Sequence, residues 1–213
     1  MKMTVVLLIS VVHLLLAFSS SPCATAEQVV LDAEGNVVKT GSKYYMVSAF
    51  YGAGGGGIRR ADDSECPAKV IQSPFDVDRG TPVYFTRKAS KKVEITESTD
   101  LNIEFYKDNQ THCSKNVWLV EGYPGLHYKM DISTDGVAGE LLQLASWFQI
   151  KKANSFSYKL SFCPLSFGGL GCMDIGTEFG NDGQRRLAVR GQRTFNFVLL
   201  KDIDDDIGIK SVV

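Results

Sequence analysis

Four cations crowd the stretch Thr86 to Val93, which reads Thr-Arg-Lys-Ala-Ser-Lys-Lys-Val. They are Arg87, Lys88, Lys91 and Lys92, and no acid accompanies them. Unpaired ammonium and guanidinium groups at this density cannot enter a core, because burying them is too costly. Apolar, β-prone runs lie on either side: Pro82-Val83-Tyr84-Phe85 before, and the alternating Val93 and Ile95 after. The stretch is therefore expected to be an exposed connection between two anchored strands. Two chemistries fit it. A Lys-rich loop keeps a sheet edge soluble. A presented Lys or Arg can also serve as bait for the acidic specificity pocket of a trypsin-like protease.

The compartment bears on which of the two holds. Met1 to Ala26 reads as a secretory signal. Lys2 gives a positive start, Val5 to Phe18 is apolar except for Ser10 and His13, and Ala24-Thr25-Ala26 is a small-x-small cleavage site. The apolar run is shorter than the about 20 residues that span a membrane comfortably. The expected organisation is a signal peptide over 1–26 and a single domain over 27–213, secreted or carried to the vacuole. The acidic run Asp202 to Asp206 near the C-terminus reads as a removable sorting segment or a frayed end. The formal net charge is −1, so composition gives no argument for a nucleic-acid partner.

Cys23 leaves with the signal, and Cys66, Cys113, Cys163 and Cys172 remain. Four cysteines in an oxidising compartment allow three pairings. Cys163 and Cys172 flank Pro-Leu-Ser-Phe-Gly-Gly-Leu-Gly, a flexible segment suited to closing on itself, which leaves Cys66 for Cys113. No Cys-x-x-Cys pair is present to suggest zinc. Asn109-Gln110-Thr111 is a glycosylation sequon, so Asn109 is expected to carry a glycan.

Little else could do chemistry. The mature chain has two histidines, His112 and His127, and no Gly-x-Ser-x-Gly elbow for a serine nucleophile. Its acids, as at Asp62-Asp63 and in the C-terminal run, read as turns and a solvated tail rather than the opposed carboxylates of a glycosidase. The Gly-rich run Gly52 to Gly57 lacks the Gly-Lys-Ser/Thr and following helix of a phosphate loop, and is read as a turn or tight packing site. No enzymatic activity, metal or cofactor is expected.

The elements that must position the cationic stretch are strands. Short β-rich runs alternate with Gly, Asn, Asp and Ser clusters at spacings of roughly 8 to 12 residues, as in a sandwich or barrel. Strands are expected at Val29–Leu31, Tyr44–Phe50, Cys66–Ser73, Asp100–Tyr106, Asn116–Glu121, Phe156–Cys163, Arg186–Arg190 and Thr194–Leu200. In Asp100–Tyr106 the period of two puts Leu101, Ile103 and Phe105 on one face. The same period in Phe156–Cys163 puts Phe156, Tyr158, Leu160 and Phe162 together. Gly136 to Ile150 is read as a helical turn or as a loop leading into the strand Trp147–Ile150.

One run goes further. Val30-x-Asp32-x-Glu34-Gly35-Asn36-x-Val38, then five residues, then Tyr44-x-Met46, resembles the signature of plant Kunitz-type (soybean-trypsin-inhibitor-like) proteins. Other marks follow in family order: Gly56-Gly57-Ile58-Arg59, Cys66-Pro67 with Val70-x-Gln72-Ser73, Trp147-Phe148, Tyr158-Lys-Leu-x-Phe-Cys163-Pro164, Asp174-Ile175-Gly176 and Arg185-Arg186-Leu187. The resemblance covers essentially the whole mature chain. It implies an all-β β-trefoil, a six-stranded barrel capped by three hairpins, with disulfides Cys66–Cys113 and Cys163–Cys172. It also implies a secreted serine endopeptidase inhibitor, a monomer whose partner is a trypsin-like protease, with no nucleic acid and no membrane involved.

The implied reactive-site loop is Arg87, Lys88, Ala89, Ser90, Lys91 and Lys92. Counting forward from Cys66 on the family's spacing reaches Ser90 as the primary specificity residue, and counting back from Phe105 reaches Lys91. Lys91 is preferred and Ser90 comes next. Lys91 implies trypsin-like targets, Ser90 elastase- or subtilisin-like ones. Strong trypsin inhibitors of the family brace the loop with an Asn where this chain has Thr40. They also carry a Pro shortly before the primary residue, and Thr86-Arg87-Lys88-Ala89-Ser90 has none. Both departures imply modest inhibition. The alternative on the same fold is a storage, amylase-binding or miraculin-like protein without protease inhibition.

Overall fold

The computed structural model describes residues 27–50, 52, 54–61, 65–87, 93–107, 112–123, 130–164 and 171–203. The expected leader, the sequon at Asn109, His127 and the loop residues Lys88, Ala89, Ser90, Lys91 and Lys92 lie outside these. In chain order the strands are β1 (Tyr44–Ser48), β2 (Ile58–Arg60), β3 (Val70–Gln72), β4 (Val83–Thr86), β5 (Asp100–Phe105), β6 (Val117–Val120), β7 (Met130–Gly136), β8 (Phe148–Lys152), β9 (Tyr158–Phe162), β10 (Met173–Phe179), β11 (Arg185–Val189), β12 (Arg193–Thr194) and β13 (Asn196–Lys201).

Six of them close a ring. β1 pairs with β4, β4 with β5, β5 with β8, β8 with β9, β9 with β13, and β13 returns to β1, all antiparallel. Closure leaves this barrel without an open sheet edge. The remaining strands form three hairpins, β2/β3, β6/β7 and β10/β11, with β12 added to β10. β11 pairs with both β3 and β7, and a bridge from Lys69 to Ser133 joins the other two hairpins. Two barrel strands and one hairpin recur three times along the chain, which is the β-trefoil with its six-stranded barrel and three-hairpin cap.

Alternation explains the barrel strands. Leu101, Ile103 and Phe105 point inward and are buried, as are Tyr158, Leu160 and Phe162. Their rings meet those of the hairpins: Phe105 lies 5.3 Å from Trp118, Trp118 6.3 Å from Phe148, and Phe148 6.2 Å from Phe162. Each such ring buried contributes roughly 1.5–3 kcal/mol. Tyr44 and Phe85, on the adjacent strands β1 and β4, meet with ring centroids 6.0 Å apart.

The cap is joined by charge as well. Lys69 pairs with Glu121 and Asp131, and Arg186 pairs with Asp131 at 3.4 Å and Asp182 at 2.9 Å. These residues come from all three hairpin units. Cys66–Cys113 and Cys163–Cys172 are both bonded, with Cα separations of 5.5 and 4.2 Å.

Three expectations change in detail. Phe156 is 64% exposed, because the strand begins only at Tyr158. Val29 to Leu31 forms isolated bridges, to Thr96 and Val37, and not a continuous strand. Gly136 to Ile150 holds a single 3-10 turn at Leu144–Ser146 before β8. The Gly-rich run is a packing site: a Cβ on Gly57 would fall 1.9 Å from the Arg79 carbonyl oxygen, and one on Gly56 2.2 Å from that of Phe75.

Candidate functional site: the neck of the 86–93 loop

The two stems of the cationic stretch are held by different parts of the chain. The leading stem is β4. Its last residue, Thr86, lies across from Asn102 of β5 in an unbroken ladder. Beyond it, the Arg87 guanidinium Nη1 donates to the Glu94 carbonyl at 3.3 Å, spanning the neck. The returning stem has no strand partner of its own and lies along the N-terminal segment. Val93 and Thr40 exchange two bonds: the Thr40 N–H donates to the Val93 carbonyl, and the Val93 N–H donates to the Thr40 hydroxyl oxygen, each at 3.0 Å. Lys39 then bridges Glu94, and Val29 bridges Thr96. The Ile95 N–H donates to the Val38 carbonyl and the Val30 N–H to the Ile95 carbonyl, both at 2.8 Å. Ile95, Val30 and Val38 are fully buried and lock this layer onto the barrel.

The N-terminal segment can act as a floor because its own turn is fixed. Asp32 Oδ1 accepts the N–H of Glu34 at 3.1 Å and of Asn36 at 2.7 Å, the self-bonding that places Asp at turn starts. Gly35 has φ +84°, which a residue with a Cβ adopts only under strain. Two barrel tyrosines tie the segment down. The Tyr44 hydroxyl accepts the Lys39 N–H at 3.1 Å, and the Tyr158 hydroxyl accepts the Leu31 N–H at 2.9 Å. The signature residues Asp32, Gly35 and Tyr44 thus have one common consequence: they hold the strip of backbone on which Val93 rests.

Thr86, Arg87, Val93 and Thr40 are therefore brought together, while the crest between them lies outside the described residues. Arg87 is half-buried and bonded across the neck, so its side chain lies along the base of the loop. Sequence reasoning grouped Arg87 with the crest cations and missed this bond, which depends on a backbone carbonyl that no residue type advertises. It also missed Asn102, fully buried beside Thr86, because the alternation of β5 puts Asn102 with Asp100 and Glu104 on the polar face. Further along the same strand, burial pushes the Glu104 carboxyl above its ordinary value. The Cys66–Cys113 bond lies outside both stems and encloses the loop within one covalent ring.

The described residues of this arrangement can hold a peptide in a fixed shape. Among the described residues, no cluster of His, Cys, Asp and Glu could hold a metal ion, and His112 stands exposed beside Cys113.

Known proteins share the frame. The family model described as trypsin and protease inhibitor, of the legume Kunitz type, matches residues 30–201. A "21 kDa seed protein" of Theobroma cacao is 41% identical over 192 residues, covering 84% of this chain and 87% of that protein. "Kunitz trypsin inhibitor 5" of Arabidopsis thaliana is 35% identical over 184 residues, covering 83% and 89%. Among solved structures, alocasin, a protease inhibitor from giant taro (Arum macrorrhizon), superposes with TM-score 0.68 at 27% identity, covering 82% of this chain and 99% of that one. The family is one of inhibitors rather than enzymes, which agrees with the lack of a catalytic set in the sequence. With a match running from the Asp32 turn to the last barrel strand, this chain belongs to the legume-type Kunitz family of trypsin and protease inhibitors.

Proposed function

We propose that the chain is a secreted serine endopeptidase inhibitor whose 86–93 loop enters a protease active site as a substrate would. Lys91 fills the primary specificity pocket and pairs there with a buried carboxylate, which makes a trypsin-like enzyme the partner. The protease's own machinery attacks the loop, and the inhibitor contributes only geometry. A loop already held in shape loses little conformational entropy on binding. Once cut, its ends remain in place to be resealed.

The observation that carries this reading is the paired bond between Thr40 and Val93. It fixes the returning stem by a backbone–backbone bond and a backbone–hydroxyl bond. A hydroxyl braces only at the stem, where an Asn amide would reach further, so the inhibition is of modest strength. The secretory leader over 1–26 and a glycan on Asn109 belong to the same proposal, as does a monomeric mature chain over 27–213.

A second reading, a storage protein without inhibition, is favoured by the likeness to the cacao seed protein and by the absence of a Pro before Lys91. Titration of the mature protein against trypsin, chymotrypsin, elastase and subtilisin separates the two. The proposal expects trypsin inhibition that Lys91→Ala abolishes. Inhibition that survives Lys91→Ala but shifts with Ser90→Ala moves the primary residue to Ser90. Inhibition of none of the four removes the proposal and leaves the storage reading.

A further inference from the structure

The segment joining β7 to β8 stands against the leading stem of the loop. Asn102 faces Thr86 across the β4–β5 ladder, and directly opposed residues share a face of the sheet. Both ends of the buried Asn102 amide serve this segment: Oδ1 accepts the Gly139 N–H at 2.7 Å, and Nδ2 donates to the Ser146 carbonyl at 2.8 Å. The segment also ties itself. Gln143 Oε1 accepts the Val137 N–H and the Ser146 hydroxyl, each at 2.7 Å. Glu140 Oε1 accepts the Leu142 N–H at 3.1 Å, and the Glu140 carbonyl accepts from Trp147 Nε1 at 3.1 Å.

This restrained connection turns Ala145 and Trp147 inward at its end and leaves its earlier part facing water. Leu142 is 90% exposed, Val137 47% and Leu141 46%. Large apolar side chains held out to water on one ordered segment mark a surface that another body covers. Their place decides which body. They belong to the segment bonded to Asn102, the ladder partner of Thr86, which is the last strand residue before the 86–93 loop, so a body seated on that loop is the one brought beside them. Among the described residues Leu31, Phe50, Phe156 and Ile203 are exposed as well, and so are Phe75, Val77 and Phe179 of the cap hairpins and their connections, but none of these belongs to the segment bonded to Asn102.

We infer that Val137, Leu141 and Leu142 form a second contact for the protease held by the 86–93 loop, meeting apolar surface beside its substrate cleft. The inference rests on the inhibitor reading above. Because the segment is already ordered, covering it adds affinity with little entropic loss. It thus favours those proteases whose cleft rim is apolar over others with the same primary pocket.

The test compares the wild-type mature protein with Leu142→Asp, with Leu141→Ser/Leu142→Asp, and with Phe75→Asp as a distant control, all against the protease that the wild type inhibits best. The expected result is an inhibition constant raised about tenfold in the double variant, expressed as faster dissociation. The Tm should be unchanged, and Phe75→Asp should match the wild type. An unchanged constant in both leucine variants, or an equal rise in Phe75→Asp, overturns this inference and leaves the inhibitor reading intact. A wild type that inhibits nothing overturns both.

Discussion

At Val93 both backbone polar groups are engaged by one residue, Thr40, and the hydroxyl is the vulnerable half of that pair. Thr40 is buried, so water does not replace the hydroxyl if it is removed. Thr40→Val keeps the side chain's shape and leaves the Val93 N–H without an acceptor. Leaving this part-buried donor unpaired costs about 1 kcal/mol. Part of that loss should appear as global stability, read as a lower denaturation midpoint. The rest should appear as a looser stem, read as faster hydrolysis of the bound loop by trypsin. A variant as stable and as slowly cleaved as the wild type would remove Thr40 from the account. The sequence offered Thr40 only through the family resemblance. Nothing in the local pattern Val-Val-Lys-Thr-Gly says that a hydroxyl will meet an amide more than 50 residues away.

At the level of elements, the N-terminal segment is the floor of the loop and the Asp32 turn is what keeps the floor flat. Asp32→Ala removes the acceptor of two backbone N–H groups in a buried setting, at about 1–2 kcal/mol. The Tm should fall by roughly 5 °C, and inhibition should weaken with it although the loop sequence is untouched. An effect on Tm without one on inhibition would separate the floor from the loop. The same scale shows what a single sequence can and cannot declare. β5 and β9 were legible because their inward residues are apolar and alternate. β7 was not, because it buries Ser133 and Thr134, and the Thr134 hydroxyl accepts the Ala68 N–H from another hairpin. β10 was hidden by Gly176, where a Cβ would lie 2.5 Å from the Arg193 carbonyl oxygen. Gly136 to Ile150 is read from sequence as a helical turn or as a loop leading into a strand, and it holds both: a 3-10 turn at Leu144–Ser146 and a loop before it. Leu141 and Leu142 face water, because the backbone ahead of the turn is held by the side chains of Asn102, Gln143 and Glu140. Apolar pattern reveals where side chains are buried together, and it is silent where polar groups from distant parts of the chain satisfy each other.

For the whole molecule, closure of the barrel and of the two disulfide rings sets how much disturbance the loop's frame tolerates. Cys66–Cys113 spans 47 residues and Cys163–Cys172 spans 9. On the chain-entropy account the larger ring stabilises by about 4 kcal/mol and the smaller by about 2.5 kcal/mol. Cys66→Ser/Cys113→Ser should therefore lower the denaturation midpoint more than Cys163→Ser/Cys172→Ser, and an inverted order would contradict that account. The larger ring has a second consequence. A loop cut between its stems leaves two pieces that remain covalently joined through Cys66–Cys113 and held in register by the barrel. The most direct measurement is mass spectrometry of the mature protein after prolonged incubation with trypsin, with and without reduction. The predicted result is intact protein in balance with a single cleaved form, cut after Lys91, whose two pieces separate only on reduction. Progressive digestion at Arg87, Lys88 and Lys92, with no stable complex, would contradict the claim that this loop is a substrate-like inhibitor.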